Sequence, residues 1–156
     1  MRRMVSVLGS TGSIGLNTLD VIARHPDRFG VYGLAANSSV AALLEQCLAF
    51  RPRYAVLMDE AAADSLRAQL PPDSDTEVLQ GEAGLEAVVT APAVDCVMAA
   101  IVGSAGLLST LAAARAGNVW STPAVSIGRG AAESAAAVGA AGAGWLLGEA
   151  AAARAV

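Results

Sequence analysis

Three glycines near the start of the chain have the spacing of a phosphate-binding turn. In Met4-Val5-Ser6-Val7-Leu8-Gly9-Ser10-Thr11-Gly12-Ser13-Ile14-Gly15 an apolar run meets G-x-x-G-x-x-G and then a stretch of helical periodicity. Gly9 permits a sharp turn at a strand end. Gly12 lets backbone approach a pyrophosphate with no Cβ in the way. Gly15 lets a helix lie close on the strand. The first amides of that helix then point at phosphate oxygens, and its dipole favours their negative charge. The spacing is one residue looser than G-x-G-x-x-G, and an ordinary glycine turn would share it. The strand before, the helix after and the alternation downstream favour a dinucleotide.

A second position bears on which dinucleotide. The acceptor for a ribose 2′-hydroxyl normally lies about 20 residues past the glycines, as an acid at the end of the second strand. Here the chain reads Ala35-Ala36-Asn37-Ser38-Ser39, with no acid. A carboxylate repels a 2′-phosphate, whereas an amide and two hydroxyls donate to it. The residues therefore favour NADP over NAD. Ser38 or Ser39 also suits the cap of the next helix, and both roles can hold together.

The elements that must position these residues alternate. A strand over Met4–Leu8 leads to a helix from about Ser13 to Arg24, whose Ile14, Leu19, Val21 and Ile22 suit packing on a sheet. Pro26 ends it, and the only histidine, His25, lies at that end, where a cation faces the helix dipole. A strand over Phe29–Ala35 precedes a helix over Val40–Phe50 with Val40, Leu43, Leu44, Cys47 and Leu48 on one face. Then come a strand at Tyr54–Met58, a helix at Glu60–Leu70, a polar loop at Asp73–Thr76, a short strand at Glu77–Leu79 and a short helix at Gly84–Val89. The two carboxylates of that loop read as solvated charges. The apolar run Val94–Ile101 enters a second glycine turn, Gly103-Ser104-Ala105-Gly106, and a helix at Leu107–Ala116. Such an order predicts an α/β fold, a doubly wound, mostly parallel, Rossmann-like sheet. Ligands bind such sheets outside the strand carboxyl ends, so the second turn is expected to face the cofactor from the other side.

Character changes after Gly117. From Asn118 on there is no Asp, and the charges are Arg129, Glu133, Glu149 and Arg154. Gly139, Gly142, Gly144 and Gly148 interrupt a largely Ala run, each costing a helix about 1 kcal/mol. Asn118–Thr122 reads as a strand, the rest as a weakly specified helix or disordered segment. The expected division is a cofactor domain over residues 1–122 and an Ala/Gly-rich tail over 123–156.

Composition narrows the function. With 156 residues there is chain for one core, 54% apolar but only 4% aromatic, so Ala, Val and Leu must fill it. All ten basic residues are Arg, the net charge is −4 and there is no basic stripe, which argues against nucleic acid. No run of about 18 strongly apolar residues marks a membrane span, and the apolar run after Arg2 and Arg3 is too short for a signal peptide. Cys47 and Cys96 lack metal spacing and read as reduced thiols in a cytoplasmic protein.

Together these stretches resemble the amino-terminal, NADPH-binding domain of the 1-deoxy-D-xylulose 5-phosphate reductoisomerase family. The likeness rests on Gly9-Ser10-Thr11-Gly12-Ser13-Ile14-Gly15, Thr18-Leu19-Asp20-Val21, Pro52-Arg53-Tyr54-Ala55-Val56 and Met98-Ala99-Ala100-Ile101-Val102-Gly103. Ala105-Gly106-Leu107-Leu108, Thr110-Leu111-Ala112-Ala113 and Arg115-Ala116-Gly117 continue it. The resemblance implies an NADPH-dependent rearrangement and reduction of a sugar phosphate to 2-C-methyl-D-erythritol 4-phosphate, in non-mevalonate isoprenoid biosynthesis. It implies that Thr11, Gly12, Ser13 and Ile14 hold the cofactor's phosphates. Asn37, Ser38 and Ser39 would meet the adenosine ribose and its 2′-phosphate, and Ala100–Gly103 would lie beside the nicotinamide half.

Past Gly117 the likeness stops. Where the family carries Ala-Asn-Lys-Glu-Ser, this chain reads Pro123-Ala124-Val125-Ser126-Ile127. The family's Asp-Ser-Glu-His-Asn has no counterpart, since no His follows His25 and no Asp follows Asp95. The family's Mg²⁺ or Mn²⁺ polarises substrate oxygens and needs carboxylate ligands; no metal ligand and no catalytic residue is assigned here. Residues 1–156 are thus expected to bind NADPH without turning over substrate, with oligomeric state open. The switch in composition, and the absence of Lys, would fit a frame change in GC-rich coding sequence. Two other readings compete. A semialdehyde or acyl-phosphate reductase would need a nucleophilic cysteine and a nearby histidine, but Cys96 sits within a strand and His25 is far off in sequence. A non-enzymatic cofactor-binding or assembly protein would keep only the sheet.

Overall fold

Apolar runs alternating with helical stripes do build a layered sheet. The computed structural model describes residues 1–100 and two short strands, at 119–121 and 126–127. Among these the order is β1 (Arg3–Leu8), α1 (Ser13–Arg24), β2 (Phe29–Ala36), α2 (Val40–Phe50), β3 (Tyr54–Leu57), α3 (Glu60–Gln69), β4 (Glu77–Gln80), α4 (Gly81–Thr90), β5 (Cys96–Ala99), β6 (Val119–Ser121) and β7 (Ser126–Ile127). The strands form one sheet in the order β4-β3-β2-β1-β5-β6-β7. Every neighbouring pair from β4 to β6 is parallel.

Two clusters of buried side chains define the two faces. On one, Leu19 and Ile22 of α1, Leu43 and Cys47 of α2 and Leu66 of α3 pack over Val5, Val7, Leu34, Leu57 and Met98. On the other, Leu85, Val88 and Val89 of α4 cover Leu8, Ala35, Val56 and Val97. The sheet is doubly wound, as the alternation implies, and buried strands facing apolar layers on both sides read as near-continuous apolar runs. A bulge in β2 reconciles the register: Val5 pairs with Val31 but Ser6 with Gly33. Tyr32 is the extra residue, and it lets Val31 and Leu34, three apart, join the same cluster.

β1 is central, and it is tied at its start and midway. At its start the Met4 amide donates to Asp95 Oδ2 and the Asp95 amide to the Met4 carbonyl, both at 2.9 Å. Midway, Ser6 Oγ donates to the Val88 carbonyl at 2.6 Å, which satisfies a fully buried hydroxyl and fixes α4 against the sheet.

Three details depart from the sequence expectation. Ile14 and Leu48, assigned to sheet-facing stripes, are exposed, at 36% and 52%. Ile14 lies in the first turn of α1, whose buried stripe is Gly15, Thr18, Leu19 and Ile22. The helix at Gly84–Val89 starts earlier, at Gly81, and runs to Thr90. β7, unforeseen, pairs antiparallel with β6, Trp120 with Ile127 and Ser121 with Ser126. It lies within the segment expected to be a tail; an antiparallel partner needs only a short connection, whereas a parallel one needs a crossover. The expected strand at Asn118–Thr122 appears as β6, while the glycine turn at 103–106 and the helix at 107–116 lie outside the described residues.

Candidate functional site

The glycine turn sits where the sheet changes direction. β1 has β2 on one side, reached through α1, and β5 on the other, reached by the path that ends in α4. The carboxyl ends of all three meet there, Leu8 lying opposite Ala35 and opposite Ala99. In open α/β sheets this crevice is where ligands bind.

The turn is shaped by its own backbone. Gly9 has φ 75°, a left-handed conformation costly for residues with a Cβ. The amides of Gly9 and Ser10 both donate to the Ala35 carbonyl, at 2.8 and 2.9 Å, which fastens the turn to the end of β2. Gly12 donates to the Gly9 carbonyl at 3.2 Å, and its own carbonyl accepts from Leu16 at 2.9 Å, starting α1. Gly15 is the tight contact: a Cβ there would stand 2.3 Å from the Gly9 oxygen and 2.6 Å from Ser10 Cα. The close approach foreseen for Gly15 is therefore to the turn.

Gly12 is different. Its φ of −81° suits any residue, and among the described residues a Cβ would meet only the Gly9 oxygen, at 3.5 Å, an ordinary contact. Nothing among the described residues demands glycine there. Gly12 is the N-cap of α1, so no side chain caps the helix, and its first turn carries no acid. The amides of Ser13, Ile14 and Gly15 lack intrahelical acceptors by position. Gly12, Ser13 and Ile14 are exposed and Thr11 is half-buried. An anion at this end would answer those amides and gain from the helix dipole.

Asn37, Ser38 and Ser39 are exposed at the same edge, directly after β2. The Asn37 carbonyl accepts from Met58 and Asp59, at 3.1 and 3.3 Å, which ties this loop to the end of β3. Ser39 takes the N-cap position of α2, yet its side chain makes no capping bond. The alternative use foreseen for its hydroxyl is therefore not taken. The nearby carboxylate of Asp59 is committed: Oδ1 accepts from the Ala62 amide at 2.8 Å and caps α3.

Sequence reasoning missed one residue here. Gln46, on α2, is 7% exposed, and its Nε2 donates to the Ser10 carbonyl at 2.9 Å. A carbonyl only accepts, so the bond fixes which way the amide points. Of the stretch expected beside a nicotinamide, Ala100 is described, its amide donating to the Leu8 carbonyl at 2.8 Å; residues 101–103 lie outside the described residues. Among the described residues no group of three or more His, Cys, Asp or Glu side chains is placed to hold a metal, so none is assigned to one. No helix among them is long and apolar enough to cross a membrane.

Comparison with known proteins identifies the family. The family model for 1-deoxy-D-xylulose 5-phosphate reductoisomerase matches residues 5–120. The reductoisomerase of Nitrosococcus oceani is 59% identical over 114 residues, which is 72% of this chain and 29% of that protein. That of Nitrosospira multiformis is 58% identical over 116 residues, 74% of this chain and 29% of its own. The chain thus spans under a third of the relatives it matches. Among solved structures, the Zymomonas mobilis reductoisomerase in complex with NADPH superposes with a TM-score of 0.73 at 39% identity, over 78% of this chain and 32% of that one. A reductoisomerase in complex with NADPH, fosmidomycin and magnesium gives 0.72 at 39% identity, over 76% and 29%. A family-model match over residues 5–120, identity of 59% over 114 residues and a shared fold place this chain in the 1-deoxy-D-xylulose 5-phosphate reductoisomerase family.

Proposed function

We propose that this chain is the NADPH-binding unit of a reductoisomerase, with residues 1–122 forming the cofactor domain and 123–156 an Ala/Gly-rich tail. One observation carries the reading. Gly12 is exposed at an uncapped helix start, where no described residue excludes a Cβ and a closely bound ligand would. The amides of Ser13 and Ile14, with Thr11 beside them, hold the pyrophosphate; Asn37, Ser38 and Ser39 donate to the 2′-phosphate. NADPH would supply the hydride for reduction of a carbonyl in the family's sugar phosphate substrate. These residues bind and orient the cofactor and provide no acid, base or metal ligand for the rearrangement.

Residues 1–156 by themselves bind NADPH and do not convert 1-deoxy-D-xylulose 5-phosphate. The described residues offer no cluster for Mg²⁺ or Mn²⁺, and the motifs that the resemblance assigns to cofactor, substrate and metal contact are missing from the sequence. The buried thiols suit a reducing compartment, and we place the protein in the cytoplasm. Calorimetric titration with NADPH and NADH tests the first claim: NADPH should bind at least tenfold more tightly. Absence of NADPH binding overturns it. NADPH oxidation in the presence of substrate and Mn²⁺ overturns the second.

A further inference from the structure

The two phosphate-facing segments are joined by more than the sheet. Before the 37–39 loop, the Ala35 carbonyl accepts from the amides of Gly9 and Ser10. After it, two turns into α2, Gln46 Nε2 donates to the Ser10 carbonyl. The loop is thus bracketed by two anchors, and both grip the same two residues of the glycine turn. The second anchor is a side chain on a helix, buried to 7% exposure, whose Oε1 has no hydrogen-bond partner among the described residues; neither has the fully buried Ser10 Oγ. A buried amide with one of its polar atoms unanswered is costly to keep, so its single directed bond must matter to the arrangement it holds.

We infer that Gln46 is a positioning residue for the cofactor, setting the distance between the pyrophosphate turn and the 2′-phosphate loop through its bond to the Ser10 carbonyl. This rests on the NADPH reading above. Gln46 touches no ligand in this scheme. It holds the Ser10 peptide, and with it the start of the Thr11–Ile14 segment, at a fixed offset from Asn37–Ser39. A ligand that bridges both segments depends on that offset, and a ligand that meets one segment does not.

The test uses Gln46→Met, which keeps side-chain length and removes the donor, and Gln46→Glu, which turns an acceptor toward the Ser10 carbonyl. Leu85→Ala, on the opposite face of the sheet, serves as the control for general destabilisation. Affinities for NADPH and for adenosine 2′-monophosphate are measured by titration calorimetry below the onset of unfolding. Gln46→Met should weaken NADPH about tenfold and Gln46→Glu at least as much, with adenosine 2′-monophosphate changed less than twofold. Leu85→Ala should change neither ligand by more than twofold. NADPH affinity within twofold of the unaltered chain in Gln46→Met overturns the inference. So does an equal loss for both ligands, or the same loss in Leu85→Ala. Failure of the unaltered chain to bind NADPH overturns the cofactor reading and the inference together, a separate outcome from selective failure of the variants.

Discussion

The carbonyl oxygen of Gly9 lies 2.3 Å from where a Cβ on Gly15 would stand, so the turn and the helix it opens touch backbone to backbone. Among the described residues, Gly12, midway between them, has room for the same methyl. The two substitutions should therefore separate stability from binding. Gly15→Ala forces backbone to shift and should cost about 2 kcal/mol or more in chemical denaturation. Gly12→Ala should cost under about 1 kcal/mol while NADPH affinity falls at least tenfold. Equal stability losses in the two variants would contradict this account.

The cofactor preference should reverse with one charge. Ser39→Asp places a carboxylate where the 2′-phosphate is proposed to sit, and it adds an acceptor that a free 2′-hydroxyl can use. Titration should show NADPH weakened by tenfold or more and NADH strengthened. The substitution should not harm the fold, since Asp is a good N-cap and α2 lacks a side-chain cap.

Arg51 is the only residue other than glycine with positive φ among those described, at 46°, at the end of α2. Its amide reaches the Cys47 carbonyl at 2.9 Å, so the backbone there is held in place. Glycine adopts this conformation without the steric cost. Arg51→Gly should raise stability by up to about 1 kcal/mol, read as a higher denaturation midpoint with an unchanged slope.

Burial pushes the Cys47 thiol from its ordinary 9.0 up to about 12. The unfolded chain then loses this proton at lower pH than the folded chain does. The contribution to stability is complete below pH 9 and declines as pH rises toward 12. Melting temperature should fall over that window, and less steeply in Cys47→Ala. Both cysteines should resist alkylation at pH 8 until the protein is denatured, because both are buried.

Much of this was legible because local signals agreed with the tertiary ones. The limits of α1 and α2 follow from Gly12 and Ser39 at their starts and from Pro26 and Pro52 just beyond their ends. Ser13–Arg24 and Val40–Phe50 are the spans both expected and found. Gln46 was not legible. Between Glu45 and Cys47 it reads as one more polar residue on a helix, and its partner is a backbone carbonyl 36 positions earlier, which carries no sequence signal. Ile14 was misplaced because periodicity alone cannot tell a solvent-facing residue of the first helical turn from the first of a packed stripe. The bulge at Tyr32 was equally hidden: it shifts pairing without altering the apolar content of β2.

The position of β1 also governs the order in which the fold can close. Its partner β2 follows within 30 residues of sequence, but Val5 must wait for Cys96, and Met4 for Asp95, before its other edge is covered. A chain emerging from the ribosome therefore carries a β4-β3-β2-β1 half-sheet whose newest strand lies at one border and whose oldest lies at the other. Until β5 arrives, the oldest strand offers its unpaired amides and carbonyls to any neighbouring chain. Closure of the ligand crevice and protection of that border are then a single late event, with the slow pace expected of distant parallel pairing.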